Sequence, residues 1–344
     1  MECVLRLVII LLMYATSSGA SHGRRCLAGS EVFVCVLPRF DYQPGQDIPM
    51  FELPADVNAI RFVEPLYNIH ETDNTITVYD GILHRQLNSP KAVELTNSYT
   101  STVYIPPNLE YADFSDNIIE HLHVPVDQSY ALRYLDLNSN FKLQVQNVSR
   151  LVNLETLHLS SCSLEQLPLN MFENLNRLAH LTLAGNNMHT IDLDWFPMSL
   201  TLLRLDQNWM KEFHFSGSAR LPLLEDLNIE YNDLTTLDIK ALVETVPKLR
   251  LFSIGRNPLK RNELEGILEE LNRRNIAYYN MEHVSDQYCN EGERMFRGVC
   301  ISDSVFALGW GEWFEILFFI IVMIALAIGL AFAARFLWNR YHVS

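Results

Sequence analysis

Apolar residues recur through the middle of the chain in a nine-residue pattern, at its first, fourth and sixth places, and Asn or Cys closes the pattern. Six successive segments fit it, and their starts lie 22 to 25 residues apart. Because neighbouring side chains of a strand point to opposite faces, the fourth and sixth places predict one short strand in each segment. The segments are LRYLDLNSN (132–140), LETLHLSSC (154–162), LAHLTLAGN (178–186), LTLLRLDQN (200–208), LEDLNIEYN (224–232) and LRLFSIGRN (249–257), and a weaker copy, LEYADFSDN (109–117), precedes them.

The pattern is similar to the leucine-rich repeat, L-x-x-L-x-L-x-x-N/C-x-L. The resemblance implies an α/β leucine-rich-repeat solenoid, a horseshoe in which every repeat adds one strand. One repeat cannot bury its leucines alone, so stacked repeats share a continuous core. The ninth-place amide is expected to turn inward and to satisfy backbone groups at the bend. The spacing of Leu, Pro and Phe over 164–175 is similar to that of extracellular members of the family.

The start of the array is less regular. Segments that begin at residues 57, 73 and 90 keep apolar fourth and sixth places but lack the closing Asn. We interpret 57–108 as degenerate repeats that extend the sheet, and the alternative is a separate small β domain. The repeats would then occupy 57–261, after an N-terminal cap at 21–56.

The segment after the repeats predicts a capping helix. Its Leu and Ile residues form one apolar stripe over 262–275. Asn262 followed by Glu265 has the spacing of a capping box, so the helix is expected to begin at Asn262. The helix would cover the open end of the solenoid, inside a C-terminal cap at 262–300.

Two apolar runs lie outside the repeats. The first follows Arg6 and ends in small residues, the layout of a cleaved signal peptide over 1–20, with a retained anchor as the alternative. The second, 316–334, has 19 residues without a charge. As a helix it would be about 28 Å long, which predicts a transmembrane helix, with a buried soluble helix as the alternative.

Charge sets the expected orientation of this span. Arg335 and Arg340 lie in 335–344, which would be the cytoplasmic tail, whereas 301–315 would be an extracellular juxtamembrane linker. The prediction is a single-pass type I protein of the cell membrane with its N-terminus outside. A tail of this length has no room for the core of a signalling domain.

Small residues recur at every fourth place of the predicted span, at Ala325, Gly329 and Ala333. At that spacing they would line one helix face and let a second helix approach closely. They predict a contact with a second copy of the chain or with a signalling subunit. A generic apolar span, in which Ala and Gly are common, is the alternative.

The chain has six cysteines, one of them in the predicted signal peptide. Cys162 occupies a ninth place, where the family pattern accepts Cys, and is expected to be buried and reduced; a reactive thiol or an intermolecular bridge is the alternative. Local pairing of the other four, Cys26–Cys35 and Cys289–Cys300, would close each cap with a disulfide, which a secreted environment permits.

Charge and motifs narrow the classes of function. The formal net charge of −15 argues against a nucleic-acid partner, whose phosphates require Lys and Arg. The sequence contains no nucleophile elbow, zinc-protease motif or phosphate-binding glycine loop, so it predicts neither an enzyme nor a cofactor. Metal binding is disfavoured because no C-x-x-C or His cluster has ligand spacing.

A solenoid exposes the third, fifth, seventh and eighth places of its repeats on a concave sheet, the natural binding surface. Adjacent strands lie about 4.8 Å apart, so Tyr111 and Tyr134 are expected to stack, with Asp113 beside Asp136. Aromatic and acidic side chains together predict a protein-binding patch, and an ordinary solvated strand face is the alternative. A pH sensor or a metal site is a further alternative for His158 and His180, which lie on this face. The predicted ligand-binding residues are Tyr111, Asp113, Tyr134, Asp136, His158, His180, Arg204 and Asp226.

One sequence, Asn147-Val-Ser, predicts N-glycosylation. Asn147 is the sixteenth place of its repeat, so a glycan there would leave the concave face open.

The short repeats, the few cap cysteines and the capping helix resemble insect transmembrane leucine-rich-repeat proteins, including the mosquito leucine-rich-repeat immune group. The four-cysteine cap common in extracellular members is absent, since Asn257 and Pro258 are followed by no Cys before Cys289. The resemblance implies a cell-surface protein that binds a protein ligand or co-receptor through its ectodomain, in innate immune recognition or cell adhesion. The alternative function is an auxiliary subunit that regulates another membrane protein through its transmembrane helix.

Overall fold

The computed structural model describes the repeats and parts of both caps. The described residues are 24–27, 34–63, 75–215, 220–278, 289, 291–302, 317–324, 326 and 329. The predicted signal peptide (1–20), most of the predicted linker (301–315) and the predicted tail (335–344) lie outside them.

Within the described residues, the chain winds around one parallel sheet of ten strands. Neighbouring strands of the regular repeats pair in register, with the third, fourth and fifth places of one repeat opposite the same places of the next. The strands, in chain order, are Val34–Leu37, Ala59–Phe62, Ala92–Glu94, Tyr111–Asp113, Tyr134–Asp136, Thr156–His158, His180–Thr182, Leu202–Arg204, Asp226–Asn228 and Leu251–Ser253.

The core is the stack of fourth- and sixth-place side chains. Leu135 and Leu137 of one repeat and Leu157 and Leu159 of the next are completely buried. Burying one such side chain contributes about 1.5 to 3 kcal/mol. The contribution depends on the neighbouring repeats that cover it, so adjacent repeats stabilise one another.

A ladder of ninth-place amides runs through the core beside the leucines. Asn186 Oδ1 accepts hydrogen bonds from the backbone N–H groups of Cys162 and Leu164, each at 3.0 Å. Its Nδ2 donates to the carbonyl oxygens of Leu159, at 2.8 Å, and Leu183, at 2.9 Å. One side chain thus satisfies backbone groups of two repeats that would otherwise be buried and unpaired. Equivalent amides are Asn117, Asn140, Asn208, Asn232 and Asn257.

Cys162 holds the ninth place of its repeat with a thiol in place of an amide. The thiol is free, only 2% of the residue is exposed, and Sγ donates to the carbonyl oxygen of Leu137 at 3.2 Å. Burial raises the pKa of the thiol to about 11. The side chain is therefore buried and protonated at neutral pH.

The first repeats differ from the predicted arrangement. The strands Ala59–Phe62 and Ala92–Glu94 pair in register in the main sheet, so they are not a separate domain, but their starts lie 33 residues apart. The segment 73–81, expected to supply a strand between them, instead forms Val78–Tyr79 of an outer three-stranded sheet. Helix α1 (Gly81–Gln86) follows it. Val78 and Tyr79 are buried there and pair with Thr102 and Val103, so their burial favours the outer sheet.

Short elements complete the outer side of the solenoid. They comprise the outer sheet of Val78–Tyr79, Thr102–Tyr104 and His121–His123, the strand pair Thr190–Asp192 and Glu212–His214, the 3-10 helices Gln146–Arg150 and Leu193–Trp195, and helix α2 (Ile239–Thr245). Arg24–Arg25 pairs with Phe51–Glu52 at the N-terminal end.

A disulfide lies at each end of the solenoid. Cys26 is bonded to Cys35, which lies on the first strand of the main sheet. Cys289 is bonded to Cys300. The latter lies on a hairpin of Glu293–Phe296 and Val299–Ser302. Both caps thus contain the disulfide that the sequence predicts.

The C-terminal capping helix, α3 (Arg261–Arg273), buries the predicted apolar stripe. It begins at Arg261, and its N-cap residue is Lys260, two residues before the predicted cap. Lys260 makes no side-chain cap hydrogen bond. The prediction that Asn262 caps the helix is therefore wrong, since Asn262 lies within the first turn. In that turn, the Glu263 carboxylate accepts a hydrogen bond from the backbone N–H of Leu237 at 3.3 Å, which ties the helix to the preceding repeat.

Among the residues that the structure describes, no helix is long and apolar enough to cross a membrane. Residues 317–324 are helical, as are 326 and 329. Ala325 and Ala333 of the predicted helix contact lie outside the described part of the chain.

The ladder predicts a large stability difference between two adjacent asparagines. Asn186→Ala leaves buried N–H and C=O groups of two repeats unpaired, so we expect it to lower the free energy of unfolding by about 3 kcal/mol. Asn187→Ala, at the exposed neighbouring position, should change it by less than about 0.5 kcal/mol. Chemical denaturation measures both. Equal effects of the two substitutions would contradict the role of the ladder.

Burial also predicts the reactivity of Cys162. We expect the native protein to resist alkylation by a maleimide at neutral pH and the denatured protein to react at once, because the buried thiol is protonated and shielded. Mass spectrometry of the intact chain measures the added label. Fast modification without denaturant would show that the thiol is accessible.

Candidate functional site

Strand register brings five of the predicted binding residues together as a concave patch, defined as Tyr111, Asp113, Tyr134, Asp136 and His158. Tyr111 lies opposite Tyr134 at the third place, and Asp113 lies opposite Asp136 at the fifth. His158 lies opposite Asp136 on the next strand. All five side chains are partly exposed on the same face of the sheet.

The two tyrosines are stacked. Their ring centroids are 4.3 Å apart and their planes differ by 7°. His158 meets the Tyr134 ring edge-on at a centroid distance of 5.4 Å. Burial and the nearby carboxylates raise the pKa of both phenols, so both stay neutral donors at physiological pH. The three rings form a continuous surface with hydrogen-bonding capacity.

Each of the two aspartates accepts hydrogen bonds from the residue two places further along its own chain segment. Asp113 Oδ1 accepts hydrogen bonds from the N–H and the hydroxyl of Ser115, at 3.0 and 2.7 Å. Asp136 Oδ1 accepts from the N–H of Asn138 at 2.9 Å. Burial, with the negative charges of Asp113 and Asp116, raises the pKa of Asp136 to about 6. The patch therefore concentrates negative charge that a bound cation would stabilise.

The histidines are hydrogen-bonded to threonines of the same surface. His158 Nδ1 is 2.9 Å from Thr182 Oγ1, and His180 Nδ1 is 3.4 Å from Thr156 Oγ1. Burial, then the neighbouring His180, lowers the pKa of His158, so its ring is neutral at physiological pH. A neutral ring suits a packing surface for the tyrosines.

The remaining predicted residues lie farther along the sheet. Arg204 follows Thr182 in the fifth-place row, and its guanidinium donates to Asp206 Oδ1 at 3.0 Å. Asp226 is opposite Leu202 in the third-place row, and burial raises the pKa of its carboxyl group. These residues belong to a second, mixed-charge region and not to the concave patch.

Two further residues, not predicted from the sequence, lie at the N-terminal edge of the patch. Glu94 lies opposite Asp113, and Arg61 lies opposite Glu94. The Arg61 guanidinium and the Glu94 carboxylate form a two-pronged salt bridge. Both residues are fifth places of degenerate repeats, and applying the place numbering to those segments would have identified them.

The sequon residue Asn147 lies away from the concave strands, in the 3-10 helix Gln146–Arg150. Its Nδ2 donates to the carbonyl oxygen of Leu122 at 2.7 Å. Glycosylation of Asn147 stays a prediction.

One group of potential metal ligands occurs in the described part of the chain. The sulfur atoms of Cys289 and Cys300 and a carboxylate oxygen of Glu293 lie within 4.8 Å of one another. Both sulfurs are committed to the disulfide, and the carboxylate forms a salt bridge with Arg256. The group therefore stabilises the cap.

Comparison with known proteins agrees with the repeat pattern. Residues 152–210 match the leucine rich repeat family model. This segment of the chain therefore carries leucine-rich repeats.

The relatives include receptors and smaller proteins. Toll-like receptor 9 of Canis lupus familiaris is 38% identical over 122 residues, which are 33% of this chain and 12% of the receptor. Tsukushi of Gallus gallus is 30% identical over 178 residues, 48% of this chain and 46% of that protein. The chain thus spans less than half the length of either relative.

The crystal structure of the leucine-rich repeat domain of APL1B is similar to 73% of this chain and 76% of that domain, with a TM-score of 0.51 and 18% identity. At this level of identity the likeness shows the fold alone.

The raised pKa of Asp136 predicts a pH-dependent gain of stability on substitution. The folded state holds the proton more tightly than the unfolded state, so ionised Asp136 destabilises the fold above about pH 6, and the cost disappears below about pH 4. We expect Asp136→Asn to raise the free energy of unfolding by about 1 to 2 kcal/mol near pH 7.5 and to leave it unchanged near pH 4. Denaturant titrations at both pH values measure the free energy of unfolding of the variant and of the original protein.

Asp127→Asn, at an exposed position away from the patch, is the matched control and should change little at either pH. A gain for Asp136→Asn that is equal at both pH values would show that ionisation is not its cause.

Proposed function

We propose that this protein recognises a protein ligand or co-receptor outside the cell, through the concave sheet of its repeat domain. The role that we assign to it is innate immune recognition or cell adhesion. The observation that carries the proposal is the stack of Tyr111 on Tyr134 with His158 against its edge and Asp136 beside it.

The chemistry of the concave patch suits a protein partner. Tyrosine is enriched among residues that dominate binding energy at interfaces. Each tyrosine combines a large apolar ring with a hydroxyl group, so it can pack and donate a hydrogen bond at the same time. The adjoining carboxylates would pair with Lys or Arg of the partner.

Preorganisation strengthens the proposal. The patch stands on strands whose main chains are hydrogen-bonded on both sides. Tyr134 packs between Tyr111 and His158, which restricts its rotamers before any partner arrives. Less side-chain entropy is therefore lost on binding than for freely rotating residues.

The likeness of 33% of this chain to a Toll-like receptor supports an immune role. The matched segment spans only 12% of that receptor, so the receptor's role extends to this protein as a proposal.

The location is also proposed. Residues 1–20 would direct the chain to the secretory pathway, and 316–334 would anchor it as a type I membrane protein. Two disulfides in the caps support an oxidising compartment. The face of Ala325, Gly329 and Ala333 would connect the protein to a signalling subunit, because small residues at every fourth place let a second helix approach closely.

The tyrosine stack predicts a large loss of binding on truncation. We expect the double substitution Tyr111→Ala and Tyr134→Ala to weaken partner binding by about 2 kcal/mol, roughly 30-fold, because both rings leave the interface. The partner is first identified by crosslinking on cells that display the full-length protein. The affinity of that partner for each variant is then measured by titrating the partner onto cells that display the variant.

Tyr104→Ala is the matched control, because Tyr104 is an exposed tyrosine of the outer sheet. It should leave affinity unchanged, and thermal unfolding should show that all variants fold. Unchanged partner affinity in the folded double variant would refute binding through the concave patch.

A further inference from the structure

Three consecutive repeats place a bulky apolar residue just after the ladder position, at their tenth places. Tyr99, Ile118 and Phe141 are 55%, 50% and 63% exposed. The next two repeats carry Ser163 and Asn187 at the same place. The three apolar residues, called the rim patch, therefore form a bounded row at the strand ends, beside the concave patch.

A groove runs along the rim patch. It has a volume of about 520 Å³. Besides the rim patch, it is lined by Asn97, Asp116, Ser139 and the ladder residue Asn117. Apolar side chains thus line a concave surface together with an exposed carboxylate.

The backbone under the rim patch is fixed in an unusual conformation. Tyr99 has a φ of 59°, in the left-handed region that bulky residues seldom occupy. The neighbouring N–H groups of Ser98 and Thr100 both donate to Asn117 Oδ1, at 2.9 and 3.0 Å. The ladder therefore holds an exposed aromatic side chain in a strained position, an arrangement typical of functional surfaces.

Charge indicates the kind of partner that the groove accepts. Asp116 lies in the groove, and the charges of Asp113 and Asp116 both act on Asp136 of the concave patch. Lys142, which follows Phe141 of the rim patch, forms a salt bridge with Glu120, with 3.2 Å between Nζ and Oε1. A cationic group entering the groove would therefore meet the Asp116 carboxylate, close to the negative charge of the concave patch.

We propose that the groove of the rim patch docks a protein segment with a bulky apolar side chain next to Lys or Arg. The apolar side chain contacts Ile118 and Phe141, and the cation pairs with Asp116. This inference rests on the proposed function, since the docked segment belongs to the same partner that covers the concave patch. A second copy of this acidic chain is a poorer occupant, because like charges would face each other.

Labelled peptides test the chemistry of the groove on purified full-length protein in lipid nanodiscs. The probe GKFKGGKFKG combines Lys and Phe, GEFEGGEFEG reverses the charge, and GKGKGGKGKG removes the apolar side chain. We expect fluorescence anisotropy to show the first probe binding at least about tenfold more tightly than either of the others. Equal affinity of the first probe and either control would overturn the proposal.

Substitutions then locate the binding. Ile118→Ser together with Phe141→Ser should weaken the first probe about tenfold, and Asp116→Asn, which suits the left-handed backbone, should weaken it and reduce its salt dependence. Trp209→Ser is the matched control, since Trp209 is an exposed tenth-place aromatic of a later repeat. The double substitution of Ile118 and Phe141 is called the rim variant. Unaltered binding of the first probe to the folded rim variant would refute the proposal that the groove binds it. Light scattering that shows a dimer lost in that variant would assign the groove to a second copy and also refute the proposal.

The partner identified by crosslinking separates this inference from the proposed function. If the rim variant keeps that partner and the double tyrosine variant loses it, the concave site stands and the groove proposal fails. If the double tyrosine variant keeps the partner, the proposed concave function fails, whatever the peptides show. Loss of partner affinity in both variants is the expected result.

Discussion

The buried hydrogen bonds of the ninth-place side chains are the constraint on which the solenoid depends. Each amide bonds to the backbone of its own repeat and of the preceding one, where the chain leaves the strand and its polar groups would otherwise be buried without partners. Cys162 keeps one donor bond of this kind, from its thiol to the carbonyl of Leu137. Asn186 of the next repeat accepts a hydrogen bond from the N–H of Cys162, so the ladder continues past the repeat that carries Cys in place of Asn.

The ladder also determines which side chains face outward together. It fixes where each strand ends, and the Leu at the strand centre and the Leu just after the strand then both point inward. A slip of one residue would turn the leucines outward, so the register of the third and fifth places is strongly specified. The Tyr111–Tyr134 stack and the Asp113–Asp136 pair are consequences of that register.

The concave patch and the rim patch meet around the eighth places, three residues after each strand ends. Residues there have left-handed backbones, with φ of 53° at Asp116 and 59° at Ser139. The turn carries the chain from the sheet to the rim, so one repeat presents residues to both surfaces. Aromatic, apolar and acidic residues coincide in the repeats that begin at 90, 109 and 132, whereas the next two repeats carry Ser163 and Asn187 at the rim.

The sequence by itself determined the repeats, the inward leucines, the buried thiol and the neighbours across the concave sheet, because each follows from a local period and a fixed strand spacing. Only the tertiary structure decided the position of 73–81, which forms part of the outer sheet, and the first residue of α3. It also decided the pKa of Asp136 and the exposure of Phe141. Those properties depend on which groups from other repeats cover a residue, and a residue pattern along one repeat does not contain that information.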